Sequence, residues 1–359
     1  YIHFDLATAG NFFLALNLGI FAATMVSRRL LSRLRSRRLL AGSCLLIGIG
    51  QLLLAAIQSP TLMLFPLILV GFAVGLLVPG VSLLVSDTMT APCAVTVLSL
   101  AGLFFAAGSV SFTLLIWAAV HLLTAATMLI LAAVFPLALA VSYFHWRMPP
   151  GAEPAPSHAS LWEGLSPTGL LLCLALVVQS GSESAVGGWL ALYWVHRLGV
   201  SLETALFALA LYWAALALSK LLAPRLLWTG RLWRQLAVGT AASLFGCLLL
   251  LSTAGTGGGM VGALILGAGL GAVFPFTIRM IGQRLPYYHR GFLNDYFLLW
   301  LMGGLVAPWS IGHFAEAWGI EWALRTPAMA AILVFVLHFG LLLESRLSSR
   351  LPHRAPVSK

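Results

Sequence analysis

The sequence predicts an all-α polytopic membrane protein in two helical halves, and three observations carry that reading. Of 359 residues, 60% are hydrophobic and 8% charged. A soluble domain carries about 25% charged residues, so this inventory cannot build a water-facing shell. The apolar residues fall in runs of about 18 to 27 separated by short polar breaks. About 20 apolar residues cross the hydrocarbon core as a helix, and in lipid the backbone must satisfy its own hydrogen bonds. A β-barrel would show alternating segments of about ten residues instead. Third, if the runs are alternating crossings, 18 of the 20 Lys and Arg lie on one side.

Eleven spans follow in order. The first, 5–27, ends at a basic cluster, Arg28, Arg29, Arg33, Arg35, Arg37 and Arg38. The second and third, 39–57 and 61–86, lead to the fourth, 93–117. Only Trp117 to His121 divides that span from the fifth, 122–144. A polar stretch then opens with Trp146-Arg147 and runs through Pro149, Pro150, Glu153, Pro154 and Pro156. It separates an N-terminal bundle (1–145) from a C-terminal one (167–345), with 146–166 as linker and 346–359 as tail. The sixth span, 167–197, lies between Pro167 and Arg197. The seventh and eighth, 202–224 and 234–254, flank a loop marked by Lys220, Arg225, Arg231 and Arg234. Arg279, Arg284 and Arg290 bracket the loop between the ninth, 258–282, and the tenth, 289–315. The eleventh, 327–345, is followed by Arg346, Arg350, Arg354 and Lys359.

Lys and Arg collect in cytoplasmic loops, so the C-terminus is expected in the cytoplasm and Tyr1 outside. Only Arg197 and Arg325 fall on the outer side. The net charge of +10 is thereby explained by topology and by contact with anionic lipid. Nucleic-acid binding, which needs a solvated basic face, is excluded. Cys44, Cys93, Cys173 and Cys247 all lie inside apolar runs, with no CxxC or Cys/His cluster. They read as packing residues rather than disulfides or metal ligands. Five spans facing six is asymmetric, and a further helix before Tyr1 is expected to complete six plus six.

Glu183 is the sharpest functional candidate, about halfway along its span. An ionised acid at a helix centre costs about 2.5–3.5 kcal/mol, and such groups mark proton or substrate pathways. Taking up a proton removes that charge, which suits a coupling site. The bland alternative is a neutral Glu hydrogen-bonded to a neighbouring helix. Gln179, four residues earlier, shares its face. The run Ser180-Gly181-Ser182-Glu183-Ser184, with Gly187-Gly188 one turn on, is a weak helix, and a break at that depth would expose backbone groups to a ligand. Asp295 lies near the cytoplasmic end of the tenth span and would either pair with Arg279 or Arg284 as an inner gate or cap its helix. Lys220, near a helix end, is expected to snorkel. Asp5 and Glu316 are expected to be solvated at the outer edge.

Trp189, Tyr193, Tyr212, Trp213, Phe274, Phe276 and Trp300 either line a pocket or serve packing and the interfacial belt. Neighbours on a helix diverge by about 100°, so Tyr212 and Trp213 should not both face a pocket. Asn11, Ser82 and Ser99 are the polar candidates of the first half, and His121 and His313 lie near the outer mouth. Pro79, Pro136, Pro275 and Pro308 are expected to kink their helices. Gly267, Gly269 and Gly271 would permit close helix contacts.

Six plus six spans about a cytoplasmic linker resemble the major facilitator superfamily. That family's loop signature, Gly-x-x-x-Asp-Arg-x-Gly-Arg-Arg, corresponds here to Gly19 through Ser32-Arg33-Leu34-Arg35-Ser36-Arg37-Arg38, which keeps the basic cluster but lacks the acid and the loop glycine. Further matches resemble the fucose permease branch of proton–sugar symporters. They are Gly71 to Gly75 with Pro79-Gly80-Val81-Ser82, Val97 to Leu100 followed by Ala107-Gly108-Ser109, Glu183 to Tyr193, and Gly303 to Gly312. Ser99 stands where an Asn is usual in that branch. The resemblance implies two pseudo-symmetric bundles of the major facilitator type that rock about a central site.

The expected function is secondary transport of a small, sugar-like solute with protons as the coupling ion, drawing on Glu183, Gln179, Trp189, Tyr193, Tyr212, Ser99, Phe274 and Trp300. An efflux antiporter for amphipathic compounds and a transporter-like ligand sensor stay open as alternatives. The Walker motif GxxxxGK[ST] is absent, which argues against ATP-driven transport by this chain alone. HExxH and GxSxG are absent too, and no enzyme activity or cofactor is expected. The protein is expected as a monomer among membrane lipids, in a bacterial inner (plasma) membrane.

Overall fold

The computed structural model describes residues 5–33, 36–88, 91–145, 167–226, 232–284 and 290–348, all-helical save for the short turns between neighbours. The helices are α1 (Leu6–Arg33), α2 (Ser36–Ala56), α3 (Pro60–Thr88), α4 (Ala91–Ala119), α5 (Ala125–His145), α6 (Pro167–Leu198), α7 (Leu202–Leu226), α8 (Leu232–Ser252), α9 (Thr256–Arg284), α10 (Arg290–Trp318) and α11 (Trp322–Ser348). Nine of them carry, within the described residues, an apolar stretch long enough to cross a membrane.

Helix ends follow local chemistry. Asp5 Oδ1 accepts the Thr8 amide at 3.2 Å and caps α1. Thr124 and Ser201 hydroxyls cap α5 and α7 in the same way. Gly199 (φ 63°) and Gly319 (φ 99°) follow α6 and α10, where the left-handed conformation ends a helix at least strain. α11 begins five residues before the predicted 327. Glu321, just ahead of it, pairs with Arg197 at 3.2 Å and Arg325 at 3.3 Å, so a polar turn can stand beyond the apolar span. Pro79, Pro136, Pro275 and Pro308 lie within continuous helices.

Two contact sets repeat along the chain. α1 packs on α3, α3 on α2, and α2 on α5. In the second half α7 packs on α9, α9 on α8, and α8 on α11. α6 lies against α10 and α11, and no described helix of the first half occupies the corresponding place. The halves meet where α1 packs on α10 and α4 on α7.

Lipid tails are as apolar as leucine, so helix pairing rests on close packing rather than on water exclusion. The α7–α9 contact shows this. A methyl on Gly271 would meet the Leu216 carbonyl at 2.5 Å and Ser219 Cβ at 3.0 Å, and one on Gly267 would collide with the Tyr212 carbonyl. Gly269 turns the other way, against Ser243 of α8. The glycine run therefore holds α9 between two neighbours.

Because backbone atoms cannot yield as side chains do, Gly271→Leu is expected to lower stability by about 1–3 kcal/mol. Gly257→Leu, where nothing lies within 4 Å, is expected to stay within about 0.5 kcal/mol of wild type. Thermal unfolding of the detergent-solubilised protein compares the two directly.

Candidate functional site

Two charged side chains meet inside the C-terminal half. α6 runs from the end rich in basic residues toward the opposite, far end, and α7 runs back. Side chains lean toward the N-terminus of their own helix. Glu183 on α6 therefore leans toward the basic end and Lys220 on α7 away from it. They meet with Lys220 Nζ 2.8 Å from Glu183 Oε2, the side chains only 8% and 3% exposed. Gln179 lies one turn from Glu183. Its Nε2 donates to the Leu270 carbonyl of α9 at 3.0 Å and approaches Glu183 Oε1 at 3.4 Å. The Tyr212 hydroxyl donates to the Glu183 backbone carbonyl at 3.5 Å. Three helices thus converge on one carboxylate, and its charge is balanced by an ammonium in direct contact.

One turn beyond Glu183, α6 carries Gly187 and Gly188, and an aromatic layer rests there. A methyl on Gly187 would strike the Trp213 ring at 2.5 Å, and one on Gly188 the Phe13 ring at 2.5 Å. Trp213 meets Phe105 of α4 edge-on at 5.9 Å between ring centroids. Phe13 of α1 meets Trp189 at the same separation. Each pair joins one half to the other, which makes the layer a seam between the bundles.

Toward the far end the seam tightens. Trp309 Nε1 and His313 Nε2 lie 3.2 and 3.3 Å from Asn11 Oδ1. A methyl on Gly312 would meet Gly10 Cα at 2.7 Å, so α1 and α10 touch backbone to backbone. The Leu6 amide donates to Glu316 at 2.9 Å, and His121 pairs with Glu203. These contacts run from mid-depth outward and hold the far end closed.

The structure places the expected site residues in three groups. Glu183, Gln179 and Tyr212 come together. Trp189 belongs to the aromatic layer, its indole donating to the Pro308 carbonyl at 3.0 Å. Tyr193 lies farther along α6 inside the C-terminal core, its hydroxyl on the Leu250 carbonyl at 3.0 Å. Ser99, Phe274, Trp300, Asp295, Arg279 and Arg284 sit on α4, α9 and α10, and their side chains lie outside the described residues, as does that of Ser82 on α3.

Some expectations need correction. α6 does not break at Ser180 to Ser184. Ser182 Oγ bonds back to the Val178 carbonyl at 2.9 Å, and Gly181 admits α10, whose Gly303 carbonyl would lie 3.2 Å from an added methyl. Glu316 is exposed, as expected, and also accepts the Leu6 amide at 2.9 Å. Lys220 does not snorkel. It lies six residues inside the end of α7, about 9 Å along the axis, and its tilt carries it to Glu183. That depth and tilt were the available signal. Phe13 and Phe105 gave no signal of their own in an apolar chain.

A family model of the Major Facilitator Superfamily matches residues 1–300. Among curated proteins there is no match. Solved structures do match. One is a major facilitator transporter, FucP, in the outward conformation, with TM-score 0.64 and 16% identity over 93% of this chain and 89% of that one. Another is a single-site variant of the E. coli fucose:proton symporter FucP, with TM-score 0.60 and 15% identity over 94% of this chain and 97% of that one. At such identity the likeness concerns the fold.

Breaking a buried ion pair on one side strands the other charge, at about 3–5 kcal/mol. Glu183→Gln and Lys220→Met are each expected to destabilise by that order. The double variant is expected to lose less than the sum, and thermal unfolding of all four proteins measures the coupling. Additive losses would mean that the two groups do not interact.

Proposed function

The chain belongs to the major facilitator superfamily, and on that premise we propose that it is a proton-coupled secondary transporter for a small, sugar-like solute. The observation that carries the coupling is the buried Glu183–Lys220 pair at mid-depth, directly beneath the aromatic seam. An intramembrane acid and base held out of water are a functional site by default. FucP, whose fold the chain shares, is a fucose:proton symporter, which supports a sugar-like solute here.

The mechanism proceeds by alternating access. Residues 1–145 and 167–345 act as the two bodies, joined by 146–166, with 346–359 as a tail. The basic end faces the cytoplasm of a bacterial inner (plasma) membrane. In the present conformation the far end is shut by α1 against α10 and α4 against α7. Rocking opens this seam and brings the site to the other side of the membrane. Glu183 takes a proton when its compartment is open and releases it after the switch. Gln179 orients the carboxyl. Trp189, in the aromatic seam, and Tyr212, on the Glu183 backbone, border the path. The protein acts as a monomer.

Reconstitution of the complete protein in proteoliposomes tests this reading. Hexoses and amphipathic cations are offered with and without an imposed pH gradient. A gradient-driven hexose uptake that Glu183→Gln uncouples is the expected result. Uptake indifferent to the gradient rejects proton coupling, and transport of the cations alone favours the efflux reading.

A further inference from the structure

We propose that the solute is held by its hydroxyl groups at the junction of α1, α6 and α10, between Asn17 and Ser184, with one face of its ring against Phe13. This rests on the sugar-like reading above and adds to it a binding place apart from the Glu183–Lys220 pair, and the residues that recognise the solute there.

Helix register sets the level. Asn17 lies one turn beyond Phe13 on α1, Ser184 one turn before Gly188 on α6, and Gly304 one turn before Pro308 on α10. α1 runs away from the far end, and α6 and α10 run toward it. All three residues therefore lie one turn nearer the basic end than the aromatic layer. The contacts agree. A methyl on Gly304 would lie 3.0 Å from Ser184 Oγ and 3.7 Å from Asn17 Oδ1, so one position on α10 meets an oxygen from each of the other two helices. Asn17 belongs to the first half and Ser184 to the second, and the place between them lies where the halves part.

Ser184 differs from most hydroxyls of the bundle. A Ser or Thr inside a helix commonly bonds back to the carbonyl one turn earlier. Thr24, Ser109, Ser142, Ser182 and Thr240 do so at 2.8–3.0 Å. Ser184 makes no such bond and turns its Oγ toward α10 and α1. Ser184 is half-buried and Gly188 exposed, while Glu183, Ala185, Val186, Trp189 and Leu190 around them are buried. One face of α6 is thus open along the seam. Asn17 is half-buried as well, and its Nδ2 donates to the Phe13 carbonyl at 2.8 Å, which fixes the amide beside that ring. A hydroxyl and a side-chain amide each offer a donor and an acceptor, which matches neutral hydroxyl groups. The negative face of an aromatic ring attracts polarised C–H groups such as those of a sugar ring, and Phe13 supplies that face.

Glu183 and Ser184 are consecutive, and neighbours on a helix point about 100° apart. Glu183 faces Lys220 of α7, and Ser184 faces α10 and α1. Proton and solute are therefore held on two faces of one turn of α6. Gly304 limits what fits. Its missing side chain leaves the space beside the two oxygens, and the atoms that an added methyl would meet all belong to the side chains of Ser184 and Asn17. Gly303, its neighbour, is glycine for another reason: a methyl there would collide with the Val177 carbonyl of α6. The two glycines thus separate a binding role from a packing role.

The test measures equilibrium binding of radiolabelled D-glucose, D-galactose and L-fucose to the purified full chain, with their monodeoxy analogues as competitors. Ser184→Ala and Asn17→Ala are each expected to weaken binding of the hexose about 2–12-fold, the worth of one hydrogen bond. Gly304→Ala is expected to weaken it as well while leaving the unfolding temperature of the empty protein unchanged. Ser142→Ala, on α5, is expected to bind as wild type does. The analogues separate recognition from packing. One of them should bind wild type more weakly than the parent hexose yet bind Ser184→Ala as well as the parent does, because hydroxyl and partner are then removed together. Hexose binding that Ser184→Ala and Asn17→Ala leave unchanged would overturn the subsite alone. So would analogues that lose as much affinity in both variants as in wild type. A wild type that binds none of the three hexoses overturns the sugar-like reading and the subsite with it.

Discussion

A carboxylate buried within a membrane-spanning bundle must be neutralised, and here an ammonium does it. That constraint organises the middle of the molecule. Glu183 on α6 and Lys220 on α7 lean toward each other because the helices are antiparallel, and Gln179 ties the acid to α9. Buried ion pairs add little to stability relative to well-packed apolar residues, yet losing one partner is costly. The pair's charge balance makes protonation of the acid a change that the surrounding helices must answer.

The packing around the pair is matched to movement. Within the C-terminal half, glycine contacts bring the backbones of α7 and α9 close together. Between the halves, the seam of described residues includes ring contacts, a few hydrogen bonds, the His121–Glu203 pair and the Gly10–Gly312 approach. Such contacts can separate and re-form without unravelling a helix. The aromatic layer sits one turn from Glu183, so the seam and the charged site share the same stretch of α6.

Much of this architecture was legible in the sequence. The eleven spans and their alternation followed from apolar run length and from basic residues, because hydrocarbon thickness and the siting of Lys and Arg are strong constraints. Glu183 and Gln179 stood out because polar groups are rare at mid-span. Lys220 was misread as an end residue although it lies six residues inside the end of α7, and its tilt carries it to Glu183. The continuity of α6 through its Ser and Gly run was not legible, because those residues serve packing against α10, a contact between residues over a hundred positions apart. The aromatic seam was illegible for a related reason: Phe13 and Phe105 look like any lipid-facing phenylalanine until the halves are brought together.

The central claim is that Glu183 rests as a carboxylate against Lys220 and takes up a proton there. Infrared difference spectroscopy of the reconstituted protein during a pH titration reports this directly, through the C=O stretch of a protonated carboxyl group. The account predicts a band that grows on acidification in wild type and is absent from Glu183→Gln. In Lys220→Met the same band should already be present at neutral pH. A titration without any Glu183-dependent band, or one that Lys220→Met leaves unchanged, would contradict it.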